Sequence, residues 1–183
     1  MDINLKKLLL IVLLLSLGYS QNLIPVIETY NDGNIKSITY HKKIQNGIER
    51  VKEEGYYDNG KKSYEGTLKH GKQDGLITSW YNNGKKSYEG TFKDGKQDGL
   101  ITSWYENGQI KYEGTFKDGE RDGKWIEWEE NGKNIQFIYN NGKKKSEETY
   151  KNDKKDGLST SWYDSGKKSY EGTFKDGKQD GLI

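Results

Sequence analysis

His41 and His70 are the only histidines in the sequence; they fall in different units of it, and His70 stands where other units carry a turn aspartate. An isolated imidazole with no second ligand or acid beside it reads as a solvated turn residue, so neither metal binding nor general-base chemistry is expected of this pair. Aspartates recur in pairs of the Asp94/Asp98 type and would be the donors for calcium. That ion takes roughly six to eight oxygens in a tight array, however, and turn chemistry already explains Asp followed by Gly. Glu89 and its equivalents form a row of carboxylates opposite lysines of the Lys93 type, which a solvated, salt-laced face accounts for. A glycine-rich phosphate loop needs a strand-to-helix transition that this sequence does not contain. What remains is aromatic: Trp80, Trp104, Trp128 and Trp162, with Tyr81, Tyr105 and Tyr163, offer flat apolar surfaces to a protein partner or a sugar ring. The expectation is a binding surface, with no catalytic residue, metal or cofactor.

These aromatics are positioned by a repeat. A 24-residue unit, GKKSYEGTFKDGKQDGLITSWYEN from Gly84, recurs in near copies from Gly60, Gly108, Gly142 and Gly166. Self-similarity at a fixed short period means one supersecondary unit stacked on its neighbours. Within a unit, Lys86 to Lys93 alternates, with Tyr88, Gly90 and Phe92 on one face and Ser87, Glu89, Thr91 and Lys93 on the other. Leu100 to Tyr105 is a second run of β-branched and aromatic residues. Asp94 to Gly99 separates the runs, and Asn107-Gly108 comes after them as the dipeptide best suited to a turn with positive φ at both central positions. Glycine interrupts every segment within about ten residues and no apolar 3.6 period appears, so helix has no support. The fold class expected is all-β: an elongated, single-layer antiparallel meander of stacked β-hairpins.

The period predicts rows of equivalent side chains: Tyr64, Tyr88, Tyr112 and Tyr170; Phe92, Phe116 and Phe174, aligned with Leu68 and Tyr150; and the four tryptophans. Two strands per unit put equivalents roughly 10 Å apart. Gly66, Gly90, Gly114 and Gly172, between the aromatics, leave gaps over which a neighbouring ring can lie. A two-residue turn at Asn107-Gly108 would set Tyr105 against Ile110, on the side of Ile101 and Tyr112, with Leu100 and Trp104 opposite; a three-residue turn would swap them. The first is favoured, because it gathers Tyr, Phe and Ile into one core face. Burying one unit's few large apolar groups does not offset the entropy of ordering it, so no hairpin stands alone.

Composition agrees with a thin structure. Only 31% of the 183 residues are hydrophobic, and 30 basic side chains nearly cancel 28 acidic ones. A net charge of +2 gives no long-range steering toward polyanions, and nucleic acid is not an expected partner. Residues 1–20 differ in kind: Lys6 and Lys7 precede an apolar run from Leu8 to Leu17, then Gly18, Tyr19 and Ser20. This is the layout of a signal peptide cleaved after Ser20, too short to span a bilayer. The protein is expected to be secreted, periplasmic or at the cell surface. The absence of cysteine excludes a lipid-bearing one at the cleavage point. Residues 21–59 copy the turn signals without the YEG core, as a capping repeat would. Residues 60–131 hold three regular repeats, 132–141 one additional strand, and 142–183 two further repeats, the last truncated at Ile183, as in a piece of a longer array. An odd strand in a meander reverses everything after it, so later turns should emerge at the opposite edge.

Tyr88-Glu89-Gly90 followed by Gly95 and Asp98-Gly99, with the same set from Tyr64, Tyr112 and Tyr170, resembles the YEG…G…G signature of MORN repeats, especially their bacterial variant, over roughly residues 30 to 183. Bacterial proteins of this type are described as YwqK-family antitoxin-like. The resemblance implies an elongated hairpin stack with a non-catalytic interaction role, as a protein-binding or membrane-associated scaffold. The unit from Gly142 departs from it, with Ser146 and Glu148 where Tyr and Gly are expected. Two functions from different classes are consistent with these features: an exported scaffold for an unknown protein partner in the envelope, and a glycan- or cell-wall-binding module using the Trp and Tyr rows. Membrane-surface contact enters by family analogy only.

Overall fold

A computed structural model describes residues 23–182 of the chain; the export signal expected over residues 1–20 lies outside them. The strands are β1 (Leu23–Thr29), β2 (Ile35–Ile44), β3 (Gly47–Tyr56), β4 (Lys62–Lys69), β5 (Lys72–Trp80), β6 (Lys86–Lys93), β7 (Lys96–Trp104), β8 (Ile110–Lys117), β9 (Glu120–Trp128), β10 (Asn134–Asn140), β11 (Lys143–Lys151), β12 (Lys154–Trp162), β13 (Lys168–Lys175) and β14 (Lys178–Leu182). They form one open 14-stranded sheet in strict chain order, every pair antiparallel, as in the β6–β7 and β7–β8 ladders. The all-β meander of stacked hairpins is therefore the fold.

The two turn types are distributed differently from the sequence expectation. The tight two-residue turn with both φ values positive is Asp94-Gly95 (φ 50° and 86°), closing Lys93 against Lys96. The second strand thus begins at Lys96, four residues before Leu100, and takes in what looked like a loop. Asn107-Gly108 sits instead in a three-residue turn: Gly108 N–H donates to the Tyr105 carbonyl at 2.8 Å and Tyr105 N–H to the Gln109 carbonyl at 2.9 Å. Trp104, not Tyr105, faces Ile110. A three-residue turn should have exchanged the faces, but the register slips by one between Ser103 and Trp104, so that Ser103 opposes Tyr112 and Ile101 opposes Gly114. The bulge restores the alternation that the turn would have inverted, and Leu100 and Trp104 lie opposite Ile101 and Tyr112.

The core is a line across the strands. Ile77 opposes Gly66 and Gly90, Ile101 opposes Gly90 and Gly114, and Trp125 opposes Phe137. Ile77, Ile101, Trp125 and Phe137 are buried. Single-layer burial works here because the tyrosine of each first strand folds its ring over the glycine two residues on. A Cβ at Gly66, Gly90 or Gly172 would strike the phenol of Tyr64, Tyr88 or Tyr170 respectively. At Gly114 the covering ring is the indole of Trp125.

β10 reverses the remainder of the stack. The five-residue connection 163–167 leaves from the same edge as the two-residue turn Asn141-Gly142, whereas earlier long connections leave from the other edge. Faces exchange as well as edges. The ladder runs from Trp125 through Phe137, Glu147 and Thr160 to Glu171, so one side of the sheet carries Tyr64, Tyr88 and Tyr112 early and Trp162 late. Lys144 Nζ sits over both Phe137 and Trp162 on that side, at 5.0 and 5.5 Å. Tyr170, Gly172 and Phe174 accordingly share the other side with Trp80, Trp104 and Trp128. A chiral unit whose strands run backwards while the stack advances is turned by half a revolution about the stacking axis, which exchanges both edge and face. The expected continuous rows of tyrosines, phenylalanines and tryptophans are therefore each broken at β10.

Candidate functional site

The tryptophans stand at strand ends, half-buried, and Trp80, Trp104 and Trp162 each lie beside a charged pair from the preceding strand, whereas Trp128 has Ile110 at the lysine position. Lys62 Nζ lies 6.0 Å from the centre of Trp80, Lys86 5.9 Å from Trp104, and Lys144 5.5 Å from Trp162. The same lysines pair with Glu65, Glu89 and Glu147 three residues on. Each ammonium is held over the ring by quadrupole attraction and by its carboxylate. One face of these indoles is thus already covered, and what they present outward is a mixed aromatic and ionic strip.

The sequence reading put Leu100 on the side of Trp104 but did not count the leucines among the interaction residues. Leu76 and Leu100 oppose Thr91 and Thr115, on the side of Trp80 and Trp104, and are 54% and 63% exposed. Their signal was the strict alternation from Ile77 and Ile101: once the isoleucine faces the core, the leucine before it must face out. Leu158, exposed like them, emerges on the opposite side with Trp162.

Tyr81 and Tyr105, assigned from the sequence to an interaction surface, are tied into the stack by their hydroxyls. Tyr57, Tyr81 and Tyr105 donate their hydroxyls to the carbonyls of Trp80, Trp104 and Trp128 at 2.6, 2.6 and 2.7 Å, and Tyr30 does the same to Tyr56 at 2.7 Å. Along the same edge Lys61 and Lys85 donate to the carbonyls of Asn83 and Asn107. At the other edge Gly95, Gly119 and Gly142 donate N–H to the carbonyls of Gln73, Gln97 and Arg121. There the Asp74 and Asp98 carboxylates accept from the N–H of Asp94 and Asp118, so these aspartates are turn-to-turn links. Removing one tyrosine hydroxyl, Tyr81→Phe, is expected to cost about 0.5–1.5 kcal/mol, one net hydrogen bond, read as a lower urea midpoint with unchanged slope.

Two further clusters occur, the second sharing Lys62 with the tryptophan strip. In the first, Tyr112 stacks on Trp125 at 6.2 Å, Phe116 meets it edge-on at 5.0 Å, and the Arg121 guanidinium covers it at 4.2 Å. In the second, buried Glu54 accepts from Tyr40 (3.2 Å), Tyr56 (2.7 Å) and Lys62 (3.1 Å) and pairs with Lys52 at 2.8 Å. Burial alone would raise its pKa, but the hydrogen bonds from Lys52, Tyr56 and Lys62 outweigh that and hold it at about 2. Burial, reinforced by the Glu54 charge, pushes Tyr40 up to about 12 and Tyr56 up as well. Both clusters are polar and aromatic networks that tie neighbouring strands together.

Among the described residues no three acidic or histidine side chains converge as a metal would require. No curated protein matches the chain. The MORN repeat variant family matches at residues 73–94, 97–118, 135–152 and 155–176. Three of these stretches each span two strands joined by a long connection, while 135–152 is shorter and spans β10 and β11 across a two-residue turn. Repeats of this kind are generally protein- or membrane-interaction modules. With four matched units in one uninterrupted hairpin stack, the chain belongs to the MORN repeat variant proteins.

Proposed function

We propose that this protein is an exported, non-catalytic scaffold that binds a protein partner at the cell envelope through the tryptophan strip. The observation that carries the reading is the pair Leu76 and Leu100. They are more than half exposed and one repeat apart, and they are flanked by Trp80 and Trp104 with their lysine–glutamate pairs. Exposed apolar residues in register, rimmed by charge, have the composition of a protein contact rather than of a solvated face. An export signal over residues 1–20 would separate the protein from any cytoplasmic toxin, so the antitoxin role suggested by the family resemblance is left out of this reading.

Cross-linking in intact cells tests it. The unaltered chain is expected to yield a discrete protein adduct, reduced about tenfold or more in the double variant Leu76→Lys, Leu100→Lys, whose exposed positions tolerate the change. An adduct of undiminished yield would place the contact elsewhere. Retention of the chain on purified cell wall, lost in Trp104→Ala, would instead favour the glycan-binding alternative.

A further inference from the structure

The tripeptide Asn-Asn-Gly preceded by tyrosine occurs twice, at Tyr81–Gly84 and Tyr139–Gly142. In the first, Tyr81 reaches forward from the long turn and donates its hydroxyl to the Trp104 carbonyl, 23 residues on. The corresponding acceptor for Tyr139 is the Trp162 carbonyl, and Tyr139 does not go there. It is drawn into β10, where Arg121 Nη1 donates to its hydroxyl at 3.1 Å and the Trp125 ring lies 6.5 Å away. Asn141-Gly142 closes as a two-residue turn with φ 46° and 73°, contributing no aromatic side chain at that edge. Among the described residues no tyrosine hydroxyl reaches the Trp162 carbonyl.

An open groove of about 360 Å³ occurs at that point, lined by Lys143, Lys144, Trp162, Tyr163, Asp164 and Ser165. By position in the repeat these correspond to Lys85, Lys86, Trp104, Tyr105, Glu106 and Asn107, the stretch where Tyr81 donates to the Trp104 carbonyl and Lys85 to that of Asn107. A cavity of about 150 Å³ accommodates a benzene ring, so the space suffices for a phenol. Tyr163 at one wall is 62% exposed, and Lys145 pairs with Asp164 across the rim.

We propose that this groove is a tyrosine socket for a protein partner: a tyrosine of that partner enters between Lys144 and Tyr163 and donates its hydroxyl to the Trp162 carbonyl. The occupant's chemistry is given by the chain itself, which fills the equivalent sockets at Trp80, Trp104 and Trp128 with Tyr57, Tyr81 and Tyr105. The socket lies at the edge of the sheet, and its function is independent of the Leu76–Leu100 strip.

Titration of the full chain with N-acetyl-tyrosinamide, followed by amide and indole NMR shifts, tests the proposal. Saturable shifts are expected at Trp162, Tyr163 and Ser165 and not at Trp80 or Trp104, whose sockets are filled. The phenylalanine analogue, lacking the hydroxyl, should bind about two- to tenfold more weakly. Tyr163→Ala, an exposed substitution compatible with folding, should weaken the tyrosine probe by a similar factor or more. Absence of saturable shifts at Trp162, equal response to both analogues, or equal shifts at Trp104 would each overturn the assignment. None of these outcomes bears on cross-linking through the leucine strip.

Discussion

Replacing Trp125 with alanine is expected to destabilise the chain by about 3–5 kcal/mol, the largest effect of any single aromatic truncation here. Trp125 is 1% exposed and touches every part of the aromatic cluster: Tyr112, Phe116, Tyr139 and the Arg121 guanidinium. Its indole N–H donates to the Thr115 carbonyl at 2.9 Å, so truncation also orphans a backbone acceptor. A single-layer sheet has no second layer to collapse into the hole, which places the cost toward the upper end. The coupling to Gly114 makes the explanation specific. A Cβ at that position would clash with the indole ring, so Gly114→Ala alone should cost about 1–3 kcal/mol by overpacking. In the Trp125→Ala background the same substitution should cost close to nothing. Urea unfolding of the four proteins of this cycle checks it, and additive losses would show that the glycine is not there for the ring.

The second large effect is expected on β3, toward the N-terminal end of the sheet. Glu54→Gln should cost about 2 kcal/mol, below the full penalty for breaking a buried ion pair, because Lys52 and Lys62 retain side-chain exposures of 23% and 31%. The variant should also change the acid limb of stability. The Glu54 carboxyl is depressed to about 2 against an ordinary 4.5. Its contribution is fully present above pH 4.5 and is lost as pH falls toward 2. Glu65 and Glu148 are lowered in the same direction: burial opposes the shift in both, but hydrogen bonds from Lys62 and Lys52, and from Lys155 and Tyr150, prevail. The unaltered chain should therefore lose stability steadily from pH 4.5 to pH 2, and Glu54→Gln should flatten part of that slope. Equal slopes in denaturant midpoint against pH would remove Glu54 from the account.

Much of this architecture was legible because a short exact period leaves few solutions. Alternation over Lys86–Lys93, glycine at Gly90 and Asp-Gly or Asn-Gly between runs specify a hairpin, and repetition specifies that hairpins stack. The placement of turns was less legible, since Asp94-Gly95 and Asn107-Gly108 are both good turn dipeptides and nothing local says which closes in two residues. That decision rests with the neighbours: Gly95 N–H meets the Gln73 carbonyl and the Asp74 carboxylate accepts from Asp94 N–H, contacts available only to a tight turn stacked on the previous one. The candidate site was half legible. Its tryptophans came from the period, while its exposed leucines, the lysines over its rings and the groove at Trp162 depended on faces that a one-residue bulge controls.

The pair of Tyr-Asn-Asn-Gly segments separates the two sources of information. The amino-acid sequence by itself determined that both are turns between strands, because Asn-Gly readily accepts positive φ and the flanking runs alternate. Only the tertiary structure decided that Tyr81–Gly84 opens into a five-residue connection while Tyr139–Gly142 closes in two. Asn141 N–H finds the Asp122 carboxylate and Gly142 N–H the Arg121 carbonyl, partners that the preceding hairpin places at that edge. One extra strand thereby sent the rest of the chain backwards, and because the unit is chiral, its tryptophan face passed to the other side of the sheet.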